Sequence, residues 1–428
     1  LAAEEVAPRL SAVSGPVRLT PDSAAALAAQ RSTEVALAEV GIEAAEANVQ
    51  MAATMRAWQA ELTASYTRMG PSASMELPED MGGGSITFSP EEAKRAQVAV
   101  TQPLYLGKRE VFSREAAAAG QQAAQQSREA AVLGLTLAAR QLVYRVLQLQ
   151  ELAVVTQQRV TAVAEHLRLS QVMFEAGTVA RFEVVQAETE LARVRGDLIK
   201  SQTAVAQAQA SLRRLLNLPQ GTELVVEEGV PAALPEGDQE QLITAATGQR
   251  PELAALEASV RAQEQNLRLA QVNDRATVAL QGAVSAQTAS AASGELSWNV
   301  TVGVSKPLHQ GGVTQAKVAQ AQAAVKSARL KVEQAGQQVA LEVTQALLNL
   351  QDARQSLEVA RQGEREAQER LRIAEVRYRN GVSLGVEVLD AQTALSATRT
   401  QVVNAQHDLQ VATAALRAAV GLADLPKE

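Results

Sequence analysis

Two long stretches of this 428-residue chain contain no proline: Leu104 to Leu218 and Leu308 to Leu425. Both are rich in Ala, Leu, Gln, Glu and Arg, which favour the helix, whereas an interior proline costs about 3 kcal/mol. Each stretch has one clear interruption, Ala176-Gly177-Thr178 in the first and Asn380-Gly381-Val382 in the second. Glycine suits the left-handed residue that closes a helix. Each stretch is therefore predicted to be a helical hairpin, its first helix running over about 107–176 or 311–379. About 70 residues at 1.5 Å per residue reach about 100 Å, too long for a compact domain and typical of coiled coils and assemblies. Val339, Val343, Leu347, Leu350, Leu357, Leu371 and Val376 follow one another at spacings that suit one helix face. Ala and Gln fill much of the rest and leave room for a second close contact.

Composition narrows the chemistry. Aromatic residues make up 2% of the chain, so Ala supplies much of the apolar content, which favours long helices packed closely. The net charge is −7 and no basic stripe stands out, which disfavours a nucleic-acid partner. The absence of cysteine excludes disulfides, thiolate metal sites and a Cys nucleophile. His166, His309 and His407 are far apart and lack ligand spacing. Gly82-Gly83-Gly84 is not followed by the Lys-Ser/Thr of a phosphate loop, and no G-x-S-x-G elbow occurs. No metal, cofactor or enzymatic activity is expected.

The second half repeats the first. At an offset of 204, Gly177 falls on Gly381, Pro103 on Pro307, Gly107 on Gly311, Glu183 on Glu387 and Leu212-Arg213 on Leu416-Arg417. Upstream the offset is 218, pairing Glu34 with Glu252, Asn48 with Asn266 and Leu62 with Leu280. The 14 surplus residues of the first repeat are assigned to Gly70–Pro90, whose prolines and glycines read as a loop. The expected organisation is an N-terminal segment (1–21), a first repeat (22–217), a linker (218–237) rich in Pro and Gly, a second repeat (238–422) and a tail (423–428). The returning helices are expected over about 183–216 and 386–420.

Ahead of each hairpin the period changes to two. Trp58, Ala60, Leu62, Ala64 and Tyr66 alternate with Gln59, Glu61, Thr63, Ser65 and Thr67. Val278 to Gln287 and Leu296 to Ser305 alternate in the same way, and Arg95–Gln102 does so more weakly. Strands are predicted over about 57–68, 95–103, 277–287 and 295–306. Such segments of about 10 residues suit transmembrane strands, with Trp58, Tyr66 and Trp298 as interfacial aromatics; a soluble antiparallel sheet with one wet face also fits the alternation. No unbroken apolar run of 18 residues occurs, so no transmembrane helix is expected, and a membrane crossing would have to use strands. Four strands cannot close a barrel that needs at least about 8, so closure would require several subunits. The start at Leu1 reads as a mature chain after signal-peptide removal, although a trimmed chain looks the same.

This order of elements, duplicated, resembles the TolC family of outer-membrane efflux proteins over about Asp22–Leu422. The most specific stretch is Arg377-Tyr-Arg-Asn-Gly-Val-Ser-Leu-Gly-Val-Glu-Val-Leu-Asp-Ala-Gln-Thr-Ala-Leu395, followed by Phe174–Leu191 and the Pro-Leu-x-x-Gly strand-to-helix junctions at Pro103/Gly107 and Pro307/Gly311. The resemblance implies a mainly helical fold with a small β part. As a homotrimer it would form a 12-stranded barrel in outer-membrane lipid and an α-helical barrel reaching into the periplasm. The linker and chain ends would form a belt. The Gly177 and Gly381 turns would lie at the periplasmic tip, where a periplasmic adaptor (membrane fusion) protein and an inner-membrane transporter of resistance–nodulation–division or ABC type dock. The implied function is the exit duct of a tripartite efflux pump or type I secretion system.

The same resemblance assigns the working residues. Glu387 and Asp390 match two carboxylates that ring the closed aperture, favouring cations. Tyr378 matches a tyrosine that holds the tip closed, and Glu183 the carboxylate on the receiving side. Ser383 stands where the family has an arginine, with Arg379 and Arg181 as candidates to replace it. Gly177, Thr178, Val179, Gly381, Val382, Ser383 and Leu384 are the expected docking residues. From the residues alone, Glu387 also suits the start of a helix dipole. The alternative reading of the whole chain is a soluble coiled-coil scaffold.

Overall fold

The computed structural model describes residues 15–70, 74–87, 92–230, 233–289 and 295–422. The first 14 residues of the predicted N-terminal segment, Pro231 of the linker and the tail 423–428 lie outside the described residues. In chain order the elements are β1 (Val17–Leu19), α1 (Pro21–Arg31), α2 (Thr33–Ala53), β2 (Gln59–Arg68), β3 (Ser74–Leu77), β4 (Gly84–Thr87), β5 (Glu92–Tyr105), α3 (Arg109–Glu175), α4 (Arg181–Leu215), β6 (Leu224–Val226), α5 (Gln239–Gln249), α6 (Pro251–Gln271), β7 (Thr277–Ala289), β8 (Glu295–Ser305), α7 (Val313–Arg379) and α8 (Gly385–Ala419).

The duplication fixes the element bounds. α7 and α8 begin and end 204 residues after α3 and α4, while α5 and α6 follow α1 and α2 by 218. The caps repeat as well. Thr20 and Asp238 each close a capping box, Thr20 Oγ1 accepting from the Ser23 N–H at 3.2 Å and Asp238 Oδ1 from the Gln241 N–H at 2.9 Å, which satisfies donors that a helix start leaves unpaired.

The chain forms two compact units. The first comprises residues up to 41, 125–255 and from 332 onward. It holds two equivalent cores. In one, Leu19, Ala24 and Ala28 pack with Ala139, Val143, Val146, Leu212 and Leu224; in the other, Leu242 and Ala246 pack with Val339, Val343, Leu350, Ala412 and Leu416. The small Ala positions let helix axes approach closely. The linker is not bare chain: its β6 pairs in parallel with β1, Val17 opposite Leu224. By length and composition α3 carries one stretch apolar enough to cross a bilayer, a qualification of the reading that no such run exists; 44% of that stretch is buried inside the fold, as in a packed core helix.

The second unit comprises residues 42–124 and 256–331 and contains an antiparallel sheet in the order β2-β5-β7-β8. Register puts Leu62, Val98, Val284 and Trp298 in one row. Directly opposed residues share a face, so Leu62, Val98, Val100, Leu280, Val284, Trp298, Val300 and Val302 form one apolar face, and Glu61, Thr63, Gln97, Thr101, Gln281, Ser285, Ser297 and Asn299 the polar one. Leu62, Trp298 and Val300 are 71%, 76% and 65% exposed: among the described residues, none covers the apolar face. β2 and β8 are open edges.

Three details differ from the sequence reading. β5, predicted from the weakest alternation, is the longest strand at 14 residues, because it is central and hydrogen-bonded on both sides. It runs through Pro103, where the register slips between Pro103 and Tyr105; a bulge is where an inner strand tolerates proline. The surplus segment Gly70–Pro90 is not simply loop, since β3 and β4 within it form an antiparallel hairpin. At the junction, Gly107 (φ +68°) is followed by Lys108, also left-handed at φ 72°, and a Cβ on Gly107 would sit 2.7 Å from Arg275 Cβ. Only glycine fits there.

Candidate functional site

The hairpin turns lie in the first unit and are built alike. Gly177 (φ +74°) donates its N–H to the Phe174 carbonyl and Thr178 to that of Met173; Gly381 (φ +70°) donates to Tyr378 and Val382 to Arg377, all at 2.9 Å. This pair of bonds around a left-handed glycine is the Schellman closure, which satisfies orphan carbonyls at a helix end. The turns leave a mixed surface. Gly177, Thr178 and Gly381 are exposed, as are Val382 and Leu384, while Val179 and Ser383 are half-buried. Phe182, in the first turn of α4, is 74% exposed and was not singled out from the sequence.

Behind the turns, Tyr378 is buried among Ala374, Val388 and Ala391 with Leu169 and Met173. Its hydroxyl donates to Glu183 Oε2 at 3.2 Å and lies 3.2 Å from Ser170 Oγ, and its ring is 5.3 Å from that of His166. This contact joins α7 of the second repeat to α3 and α4 of the first. Burial pushes the phenol above its ordinary range, the Ser170 contact opposes this, and the Glu183 carboxylate adds to it, so Tyr378 stays a donor. Burial also holds His166 below its ordinary value, keeping the imidazole neutral. Gly385 makes room: a Cβ there would lie 3.0 Å from Glu183 Oε2 and 3.3 Å from His166 Nε2.

Glu387 and Asp390 both lie on exposed positions of the first turns of α8. They line a groove of about 850 Å³ against α7, whose Arg365, Glu366, Glu369, Arg370 and Arg377 complete its charged wall. Glu387 is paired with Arg377 at 3.4 Å, whereas Asp390 has no ion-pair partner among the described residues. Arg379 pairs within its own helix, with Glu375 at 3.3 Å, and Arg181 forms no ion pair among the described residues. Arg377, which the sequence reading did not propose, makes an ion pair within the α7–α8 hairpin near its turn. Sequence offered no signal for it, nor for Ser170 or His166, since each is defined by what lies across a helix contact. No group of three or more His, Asp or Glu suited to a metal occurs among the described residues.

A family model described as outer membrane efflux protein matches residues 24–218 and 242–422. This chain belongs to the outer membrane efflux protein family. It is accordingly an outer-membrane efflux channel, and its structural neighbours are channel proteins rather than enzymes. The fold is similar to that of CusC, with a TM-score of 0.79 at 19% identity over 94% of this chain and 92% of that one. It is similar also to VceC from Vibrio cholerae (TM-score 0.75, 18% identity, 94% and 96% covered) and to the open state of the Neisseria gonorrhoeae channel MtrE (0.76, 19%, 95% and 91%). No curated protein matches significantly.

Trp58 borders the helix-joined end of β2 and Tyr66 lies near its other end, both exposed. Trp298 is the fourth residue of β8 and is exposed. Its row, with Val284, Val98 and Leu62, is about midway along β7. Alternation reports which face a residue occupies; only register reports its height.

Proposed function

We propose that three copies of this chain join their sheets, four strands each, into one 12-stranded barrel in the outer membrane, continued by their helical hairpins as an α-helical barrel. The two repeats, 22–217 and 238–422, would be the two halves of each subunit's wall, joined by 218–237. The observation that carries this reading is the sheet itself: an exposed apolar face, a polar opposite face and two open edges. Exposed edges of this kind invite aggregation unless paired, and only a closed barrel satisfies them in lipid. A soluble coiled-coil scaffold has no use for such a face.

The duct would conduct passively, receiving substrate from an inner-membrane transporter of resistance–nodulation–division or ABC type through a periplasmic adaptor that docks on the exposed turns at Gly177–Val179 and Gly381–Leu384, with Phe182 beside them. The gate would be the hairpin ends, held by Tyr378 and Glu183, with Glu387 and Asp390 ringing the aperture. Planar-bilayer recording on the purified protein tests this. The expected result is a cation-selective conductance that needs no energy source and rises when the tip contacts are removed. Absence of any conductance, or a conductance indifferent to every tip substitution, would contradict it.

A further inference from the structure

The first unit carries a second cavity, partly open to solvent and of about 370 Å³, whose walls come from α1, α3, α7, α8 and the linker; Arg354 and Arg361 lie at its exposed side. Its charge is one-sided: four guanidinium groups, Arg140, Arg354, Arg361 and Arg417, face it against the single carboxylate of Asp22. Arg140 is buried and spends its charge on Asp22, at 3.1 and 3.2 Å. Arg417 donates to the Ala233 carbonyl. Arg354 and Arg361 have neither an ion pair nor a hydrogen bond among the described residues. Arg372, Arg168 and Arg193, by contrast, each pair with an acid one turn away, Glu369, Glu165 and Glu190.

The two arginines are seven residues apart, two turns along one face of α7, with Leu357 between them. Leu357 and Leu409 give the cavity an apolar wall, and Gln410 brings in a buried side-chain oxygen with no partner. The volume is at the small end of the range of about 300–1,000 Å³ usual for ligand pockets, which are apolar with a few polar groups that fix orientation. Guanidinium is the side chain best shaped to grip a carboxylate in two places.

We propose that this cavity binds a small amphiphilic organic anion, its carboxylate held by Arg354 and Arg361 and its apolar body laid against Leu357 and Leu409. Walls drawn from five segments of one chain around so small a volume suit a small molecule better than a partner's surface. The site lies apart from Tyr378 and Glu183, and its occupancy does not depend on the gate.

Calorimetric titration of the full-length protein in detergent with sodium hexanoate tests the proposal, with acetate and hexanol as head-only and body-only controls. Saturable hexanoate binding is expected, weakened about tenfold or more in Arg354→Gln/Arg361→Gln and much weaker for either control. An Arg372→Gln control should bind as the wild type does. If the double variant folds poorly, Arg361→Gln alone decides, with a loss of about threefold or more expected. Failure of hexanoate to saturate, as when an acidic side chain of a second chain fills the cavity, overturns the proposal. So does equal binding of hexanol, or hexanoate affinity unchanged by the arginine substitutions.

Discussion

The Tyr378 hydroxyl donates a hydrogen bond to the Glu183 carboxylate across 195 residues of sequence, at 3.2 Å. One residue is in the last turn of α7 and the other in the first turn of α4, so the bond ties the second repeat to the first beside both turns. A hydrogen bond to a charged acceptor contributes about 1.5–3 kcal/mol. Tyr378→Phe keeps the buried ring and removes the donor, as Glu183→Gln removes the charge. Each is expected to raise single-channel conductance or open probability, with a stability loss of no more than that contribution. Unaltered recordings for both would separate this contact from the gate.

Gly385 has a related role that its helical position conceals. A methyl group there meets the Glu183 carboxylate and His166. Gly385→Ala displaces a movable side-chain end and should loosen the link slightly. Gly385→Val should loosen it as much as Tyr378→Phe, read as the same conductance change. A Gly385→Val protein with wild-type recordings would rule out this spacing role.

Acidification should weaken the same contact. The folded-state pKa of His166 lies below its ordinary 6.5 because burial disfavours the imidazolium. The unfolded chain therefore binds the proton first, and stability falls as pH drops through about 6.5 towards the depressed folded value. Tyr378, whose pKa is raised, acts only at the alkaline end, losing stability as pH rises past 10. Conductance should rise below about pH 6.5 and a His166→Gln variant should lose that rise. A variant with an undiminished acid response would place the titrating group elsewhere.

Much of this architecture is readable before any coordinates. The 204- and 218-residue offsets come from matching Gly177 with Gly381 and Leu62 with Leu280, and the helices obey them. Helix termini are legible because local chemistry sets them, as at the two tip glycines. What escaped is what depends on distant partners. β5 owes its length to neighbours on both sides, the row shared by Leu62, Val98, Val284 and Trp298 is set by register, and Arg377 reaches Glu387 only because the two helices pack. Tyr378 and Glu183 were paired through family resemblance; Ser170 and His166, which complete their surroundings, carry no periodic or motif signal.

Selectivity should follow the carboxylates at the groove. Arg377 faces Glu387 at 3.4 Å and offsets part of its charge, whereas Asp390 has no ion-pair partner among the described residues. The Glu387→Ala/Asp390→Ala variant is expected to lose cation preference, and Arg377→Gln to increase it. Reversal potentials under a salt gradient check both. Identical reversal potentials in all three proteins would remove these residues from the conduction path.

The strand-to-helix junction separates two glycines that look equivalent in sequence. Both are left-handed, so replacement by alanine costs about 1–2 kcal/mol at either. Gly107 also meets Arg275 Cβ at 2.7 Å, whereas Gly311 faces open space. Gly107→Ala should therefore lower the melting temperature clearly more than Gly311→Ala. Equal shifts would show that the close approach is relieved at no cost.

The central claim is that separate chains share one barrel, and the mass of the detergent-extracted particle tests it most directly. Light scattering with the detergent contribution subtracted should give three times 45.2 kDa, recovered from the membrane fraction. A monomer or dimer that stays soluble without detergent would mean that the edges of β2 and β8 are not joined between subunits, and would contradict the duct.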